Sequence, residues 1–375
     1  MYKVALWMLL RDRGRAMALI IGLAFATTLI VQQASIFTGI MRRTAMTVLS
    51  VPQADVWVMY PGTQYVDERK PLEDIALQRV RGVSGVDWAV PIYMGGATAR
   101  MPDGSFAAVQ IVGVDRSSRV GLPAALEDAT PDRLDEPDVV LWDHLNISLY
   151  RKVRPGDVLE INDHRARVAG IALGPRAFVA APVVYTTYER ALQYSPGERK
   201  RLSYVLAKAK PGTTPDELAA TIRARTGLGA LSSDGFFWST VTANLRRIPA
   251  AINFAVTILL GVIVGVAVSG QTFFTFVLAN MRYLGMLKAL GTSNRVLTRM
   301  VLLQATVVGA LGWGLGVGAA SLFGSRIDDR SQIAFLLTPH LLVGSFALVM
   351  AMVLLAAAVS IRRVRRIEPA MVFRG

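Results

Sequence analysis

The chain has 375 residues, 53% of them apolar, with a mean hydropathy of +0.41 and a formal net charge of +14. That composition places it among membrane proteins rather than soluble globular ones, and it sets the charge excess to be judged by where the cations lie. They do not form a nucleic-acid patch: Lys3, Arg11, Arg13 and Arg15, then Arg282, Lys288, Arg295 and Arg299, then Arg362, Arg363, Arg365, Arg366 and Arg374 occupy three short segments whose only acids are Asp12 and Glu368. Short loops rich in Lys and Arg stay in the cytoplasm, so the excess is a topology signal and nucleic acid is not an expected partner.

Four stretches contain no Asp, Glu, Lys or Arg: 16–41, 248–281, 300–325 and 331–361. Each exceeds the ~20 residues that cross a hydrocarbon core of about 30 Å. The organisation expected is a cytoplasmic interfacial helix at 1–15, first span at 16–41, external domain at 42–247 and second span at 248–281. A cytoplasmic segment at 282–299, third span at 300–325, short external loop at 326–337, fourth span at 338–361 and cytoplasmic basic tail at 362–375 complete it. Both termini then lie in the cytoplasm of an inner-membrane protein. The competing view of the first span is a signal peptide, with Ala24-Phe25-Ala26 as a cleavage site; its apolar run is longer than the usual signal core.

The segment 42–247 is too long for a connector, and it alternates as strands do. Strands are expected at 54–60 and 87–93, the latter interrupted by Pro91, with a helix at 72–81 between them. A hairpin turning at Pro102-Asp103-Gly104 joins 97–101 to 106–114. Further strands are expected at 139–142, 158–161, 166–171, 179–185 and 203–209, and a helix from Thr214 to about 225 opens on the capping pattern Thr-Pro-Asp-Glu. The expected fold class is therefore an α-helical membrane protein with four transmembrane helices plus a large external α+β domain, carrying a β-rich insertion, between the first and second spans.

Chemistry is sparse. No Gly-Lys pair occurs, which excludes a P-loop. His144, His164 and His340 are scattered and cysteine is absent, so neither a metal centre nor a catalytic set is expected, and no cofactor in this chain. The spans hold no charged residue of the kind that proton- or ion-coupled transporters bury. Their polar residues, Gln32, Gln33, Asn253, Gln271 and Gln304, serve helix–helix hydrogen bonds or touch substrate. Small residues recur at four-residue spacing at Gly261, Gly265 and Ser269 and at Gly312, Gly316 and Ala320, which permits close helix approach within or between protomers.

The segment from Asn280 to Arg295 carries Met286, Leu287 and Leu290 between Gly285 and Gly291. Apolar residues held in a short loop outside the membrane point to a docking surface, with the two glycines allowing tight entry and exit turns. Residues Leu284 to Gly291 resemble the coupling-helix motif of MacB/FtsX-type ABC permeases, E-(I/F)-G-(I/V)-(L/M)-(K/R)-A-(L/M)-G, with Tyr283 in place of its Glu. The resemblance covers nearly the whole chain, including the terminal Arg365-Arg366-Ile367-Glu368-Pro369-Ala370. Pro91-Ile92-Tyr93 and Ile111-Val112-Gly113-Val114 are most similar to the DevC and hemin-permease branch. The resemblance implies a homodimeric permease without enzymatic activity, coupled through Gly285, Met286, Leu287, Lys288, Ala289, Leu290 and Gly291 to a cytoplasmic ATPase that handles ATP. It further implies mechanotransmission, and a tripartite efflux system with a periplasmic adaptor and an outer-membrane channel, moving an amphiphilic or lipid-like substrate. The alternative implied is an FtsX-like signalling permease that regulates a periplasmic or cell-wall partner and exports nothing.

Overall fold

The computed structural model describes residues 7–9, 13–143, 153–174, 178, 181–195, 202–247, 249–327 and 333–365. They form two compact units, one of residues 1–40 with 249–375 and one of 41–248.

Helices dominate the first unit. The long helices are α1 (Arg13–Thr44), α6 (Ala250–Ala279), α8 (Asn294–Ser325) and α9 (Pro339–Arg365), and among the described residues these four are long and apolar enough to cross a membrane. Residues 13–15, expected in a separate interfacial helix, belong to α1; Trp7 to Leu9 are helical, and the rest of 1–12 lies outside the described residues. Residues 362–365 continue α9, while the tail from 366 also lies outside.

The small-residue faces act within the chain. A Cβ placed on Gly316 of α8 would lie 2.5 Å from the Thr27 Cβ and 2.7 Å from the Ala24 carbonyl oxygen of α1, and one on Gly312 would lie 2.6 Å from the Leu23 Cβ. The same approach lets the Thr28 hydroxyl donate to the Gly316 carbonyl at 3.2 Å. On another side of α1, Gly265 and Gly261 of α6 meet Ala26 and Ile30. Between α8 and α9, Trp313 Nε1 donates to Ser345 Oγ at 3.1 Å and its ring meets Phe346 edge-on. Residues 333–338, in no regular element, reach back to α1, where the Leu336 amide donates to the Ser35 carbonyl at 3.0 Å.

The second unit is built on one mixed sheet. Its strands are β1 (Val56–Met59), β2 (Val86–Arg100), β3 (Phe106–Val114), β4 (Leu126–Glu127), β5 (Val139–Asp143), β6 (Val158–Ile161), β7 (His164–Ala172), β8 (Val183–Thr187), β9 (Tyr204–Ala209) and β10 (Gly229–Ser232). They run in the order β10-β1-β9-β2-β3-β8-β5-β7-β4, with β6 paired to β2 and β7. Helices α2 (Ile75–Arg81), α3 (Tyr188–Tyr194), α4 (Pro215–Thr226) and α5 (Ser233–Arg247) pack with the sheet, beside two shorter turns of helix at Met46–Leu49 and Pro131–Asp135.

The expected break at Pro91 does not occur. β2 is a single strand of 15 residues, paired with β9 from Val86 to Ile92 and with β3 from Ile92 to Arg100. Pro91 falls where β2 has a neighbour on one side only, the position at which a missing N–H is tolerated. Because one strand serves both halves, the β-rich insertion is continuous with the rest of the sheet and does not form a separate subdomain.

Alternation along β1 separates two cores. Trp57 and Met59 face one, where Trp57 meets Tyr204 edge-on at 5.3 Å and Phe236 of α5 at 5.8 Å. Val56 and Val58 face the other, beneath α2 and α4. The capping pattern forms as written: Glu217 N donates to Thr214 Oγ1 at 3.3 Å and Thr214 N to Glu217 Oε2 at 3.0 Å, and Gly227 closes α4 at φ +70°.

Gly316→Val should cost about 1–3 kcal/mol by overpacking against α1. A Cβ on Gly314 meets nothing within 4 Å, so Gly314→Val should remain close to the parent. Thermal scans of the two variants in detergent check the contrast; equal melting temperatures would remove the α1–α8 contact from the account.

Candidate coupling surface

Between α6 and α8 the chain makes a helix, a tight turn and a second helix. α7 (Met281–Ala289) starts after Asn280, whose carbonyl accepts from the Leu284 amide at 3.0 Å. Its inner face is apolar at Met281, Leu284 and Leu287, and packs on a core that includes Leu297 and Met300 of α8 and Ile361 of α9. Position 285 lies on this buried face, inside the helix. Gly285 is therefore not the entry turn expected of it, since the missing side chain sits in helical backbone at a buried position.

Gly291 does act as a turn residue. It takes φ +89°, its amide donates to the Lys288 carbonyl at 3.0 Å, and the Thr292 amide donates to the Leu287 carbonyl at 3.0 Å. These two bonds form a Schellman motif, which satisfies carbonyls left open at the end of α7. Ser293, in extended conformation, then starts α8.

That termination decides which side chains face outward. Leu290, the C-cap residue, is 84% exposed; Met286 is 40% and Tyr283 37% exposed. Spaced at three and four residues, they make one outward ridge. Ala289 is exposed and Lys288 half-buried. Leu287, expected to be an anchor of the docking face, instead packs inward. Tyr283 was legible only as a departure from the motif; its place on the ridge follows from helical phase once Gly285 is seen to lie within α7. Arg282, Arg295 and Arg299 nearby in the sequence are exposed, and residues 248–327 contain no acid.

The histidines do not converge on it. His164 opens β7 and is exposed, with its ring 6.2 Å from that of Tyr194; His340 is exposed in the first turn of α9, and His144 lies outside the described residues. Among the described residues no three metal-binding side chains cluster. Span polar residues divide: Gln304 is buried, Gln32 and Gln33 are half-buried, and Asn253 and Gln271 face outward.

Leu287→Asp should therefore destabilise the permease by roughly 2 kcal/mol or more, because it places a carboxylate against an apolar core. Leu290→Asp, at a solvated position, should leave stability within about 0.5 kcal/mol of the parent. Denaturation of both variants in one detergent measures this. Equal losses would mean that the inward and outward assignments are wrong.

Comparison with known proteins agrees with this architecture. Residues 16–225 match the family described as MacB-like periplasmic core domain, and residues 254–369 match FtsX-like permease C-terminal. An uncharacterised ABC transporter permease of Mycobacterium tuberculosis is 25% identical over 309 residues, covering 81% of this chain and 80% of its own length. A permease from Mycobacterium bovis, also described as uncharacterised, is 25% identical over 310 residues, with the same coverage. Among solved structures, the periplasmic region of MacB from Actinobacillus actinomycetemcomitans aligns at a TM-score of 0.37 and 16% identity, covering 50% of this chain and 92% of that one. The extracellular domain of the noncanonic ABC-type transporter YknZ from Gram-positive bacteria aligns at 0.33 and 13%, covering 48% and 98%. With more than half its length matched by the first family and its last spans by the second, the chain belongs to the MacB/FtsX-type ABC transporter permeases, inner-membrane proteins that are not themselves enzymes and that work with a separate ATPase subunit.

Proposed function

We propose that this permease is the membrane half of an ATP-driven exporter working by mechanotransmission. Two copies of the chain bind two copies of the ATPase, which seat on the ridge of Tyr283, Met286 and Leu290. The large domain lies outside the cytoplasm, where it engages a periplasmic adaptor and an outer-membrane channel, and the cargo is amphiphilic or lipid-like. The observation that carries this reading is the exposed ridge on a helix whose other face belongs to the helical core. A push on Leu290 is delivered through Leu284 and Leu287 to residues of α8 and α9, so movement of the ATPase becomes movement of spans. The uncharged spans support drive by ATP rather than by an ion gradient.

Orientation is tested by reporters at Gly104 and Asn294. The first should be external and the second cytoplasmic, on the cation asymmetry of the short segments. An external Asn294 would invert the scheme.

Docking is tested with Leu290→Asp. A few apolar anchors carry most of such an interface, so this change should weaken ATPase association by tenfold or more, about 1.4 kcal/mol or above. Lys288→Ala should do much less, because Lys288 lies off the outward ridge and a single charge at the edge of an interface contributes little. Co-purification and ATP hydrolysis in nanodiscs read both. Full association and coupled hydrolysis by a folded Leu290→Asp variant would reduce α7 to a connecting helix. A variant series in which hydrolysis and association track each other while no cargo moves, and the large domain retains a hydrolase, would favour the signalling alternative.

A further inference from the structure

We infer that the part of the large domain where the chain enters from the first span and leaves for the second is a phospholipid contact, on which Arg42, Arg246 and Arg247 recognise anionic headgroups. The inference uses only the order of the chain and the packing inside the domain, so it holds in whichever compartment the domain lies.

Four arginines border the first two uncharged stretches on that side. α1 runs unbroken from the stretch 16–41 through Arg42 and Arg43 to Thr44, so both arginines stand within about 3 Å of its end at the helical rise per residue. Arg246 and Arg247 close α5, and the second uncharged stretch starts at the next residue. Packing inside the domain brings the two connections together: the turn of helix at Met46–Leu49 lies against α5, with Val48 and Phe236 in one core. Apolar side chains are left outside around them. Leu49 and Leu245 are each 41% exposed, and Phe178, at 46%, is held to the end of α1 by its amide, which donates to the Arg43 carbonyl at 3.1 Å.

These cations are not matched within the chain. Residues 13–54 and 235–327 contain no acid. Arg42 and Arg246 are exposed and have no ion-pair partner among the described residues. Arg247 is also exposed, with its guanidinium 4.5 Å over the Tyr65 ring; it acts on Glu68, but that carboxylate is already held by the Gln64 amide at 2.8 Å and by Lys70 at 3.0 Å. After the third span, by contrast, Arg326 and Arg330 are balanced by Asp328 and Asp329, so the excess is particular to the first two spans. Exposed leucine and phenylalanine beside unmatched arginines, at the ends of spans, suit the boundary where acyl chains meet phosphates. A guanidinium adds geometry to charge, because its paired N–H groups fit phosphate oxygens.

The chain contains no cysteine, so a single probe can be placed without background. Bimane attached at Leu245→Cys of the full chain in nanodiscs should be quenched by phospholipids that carry a nitroxide near the headgroup end of one acyl chain. Phe106→Cys, at the exposed start of β3, should not be. Equally labelled phosphatidylglycerol and phosphatidylcholine then measure selectivity, and quenching at Leu245→Cys should show a preference of about tenfold for the anionic lipid. Arg42→Gln with Arg246→Gln should reduce it to about twofold or less, since one cation near an anionic surface contributes about fivefold. Arg42→Lys with Arg246→Lys, which keeps the charge, should retain most of the preference, and Arg295→Gln with Arg299→Gln, beyond Gly291, should leave it unchanged. Quenching at Leu245→Cys no stronger than at Phe106→Cys would take this surface off the bilayer. Quenching without headgroup preference, or a preference that the glutamine pair at Arg42 and Arg246 keeps, would overturn recognition by these arginines.

Discussion

Close backbone approach along α1 is the contact on which the helical unit depends. Helices in hydrocarbon gain little from apolar burial, because lipid is as apolar as leucine, so contact must come from shape. Here it comes from glycine: Gly312 and Gly316 bring α8 onto the backbone of α1 at Leu23, Ala24 and Thr27, and Gly261 and Gly265 bring α6 to Ala26 and Ile30. α1 thereby joins two helices that are distant from it in sequence. Residues 333–338 add a third tie at Ser35.

The ridge on α7 depends on that bundle. A helix of nine residues is not stable alone in water. α7 persists because Met281, Leu284 and Leu287 share a core with α8 and α9 and because the Schellman motif at Gly291 closes its end. The same arrangement that stabilises α7 exposes Leu290. The buried and the exposed apolar residues of α7 thus occupy opposite faces of one helix, so the exposed face is not needed to hold the helix in place.

In the large domain the corresponding device is β2. By pairing with β9 along its first half and with β3 along its second, it makes one sheet from segments that the chain order separates. Trp57, Tyr204 and Phe236 fill one face of that sheet near β1, while α2 and α4 cover the other. This continuity explains why residues 41–248 form a single compact unit.

Much of this was legible from residue order. The four spans follow from uncharged stretches longer than a bilayer is thick, and the hairpin at Pro102-Asp103-Gly104, strand β6 and the capped start of α4 follow from local rules of turn, alternation and capping. Elements set by distant partners were not legible. β10 and α5 were missed because Gly229–Ser232 is a strand only by pairing with β1, and α5 is anchored by Phe236 in a core shared with Trp57 and Tyr204. Pro91 misled because tolerance of proline depends on which neighbours the strand has at that point. The apolar residues and glycines of the segment between the second and third spans led to the expectation of a docking surface, yet local sequence does not say which side of a short helix is covered. That was decided by the surrounding helices: packing against α8 and α9 took Gly285 and Leu287 inward and left Tyr283, Met286 and Leu290 outside, because burial is a property of neighbours brought together by the fold.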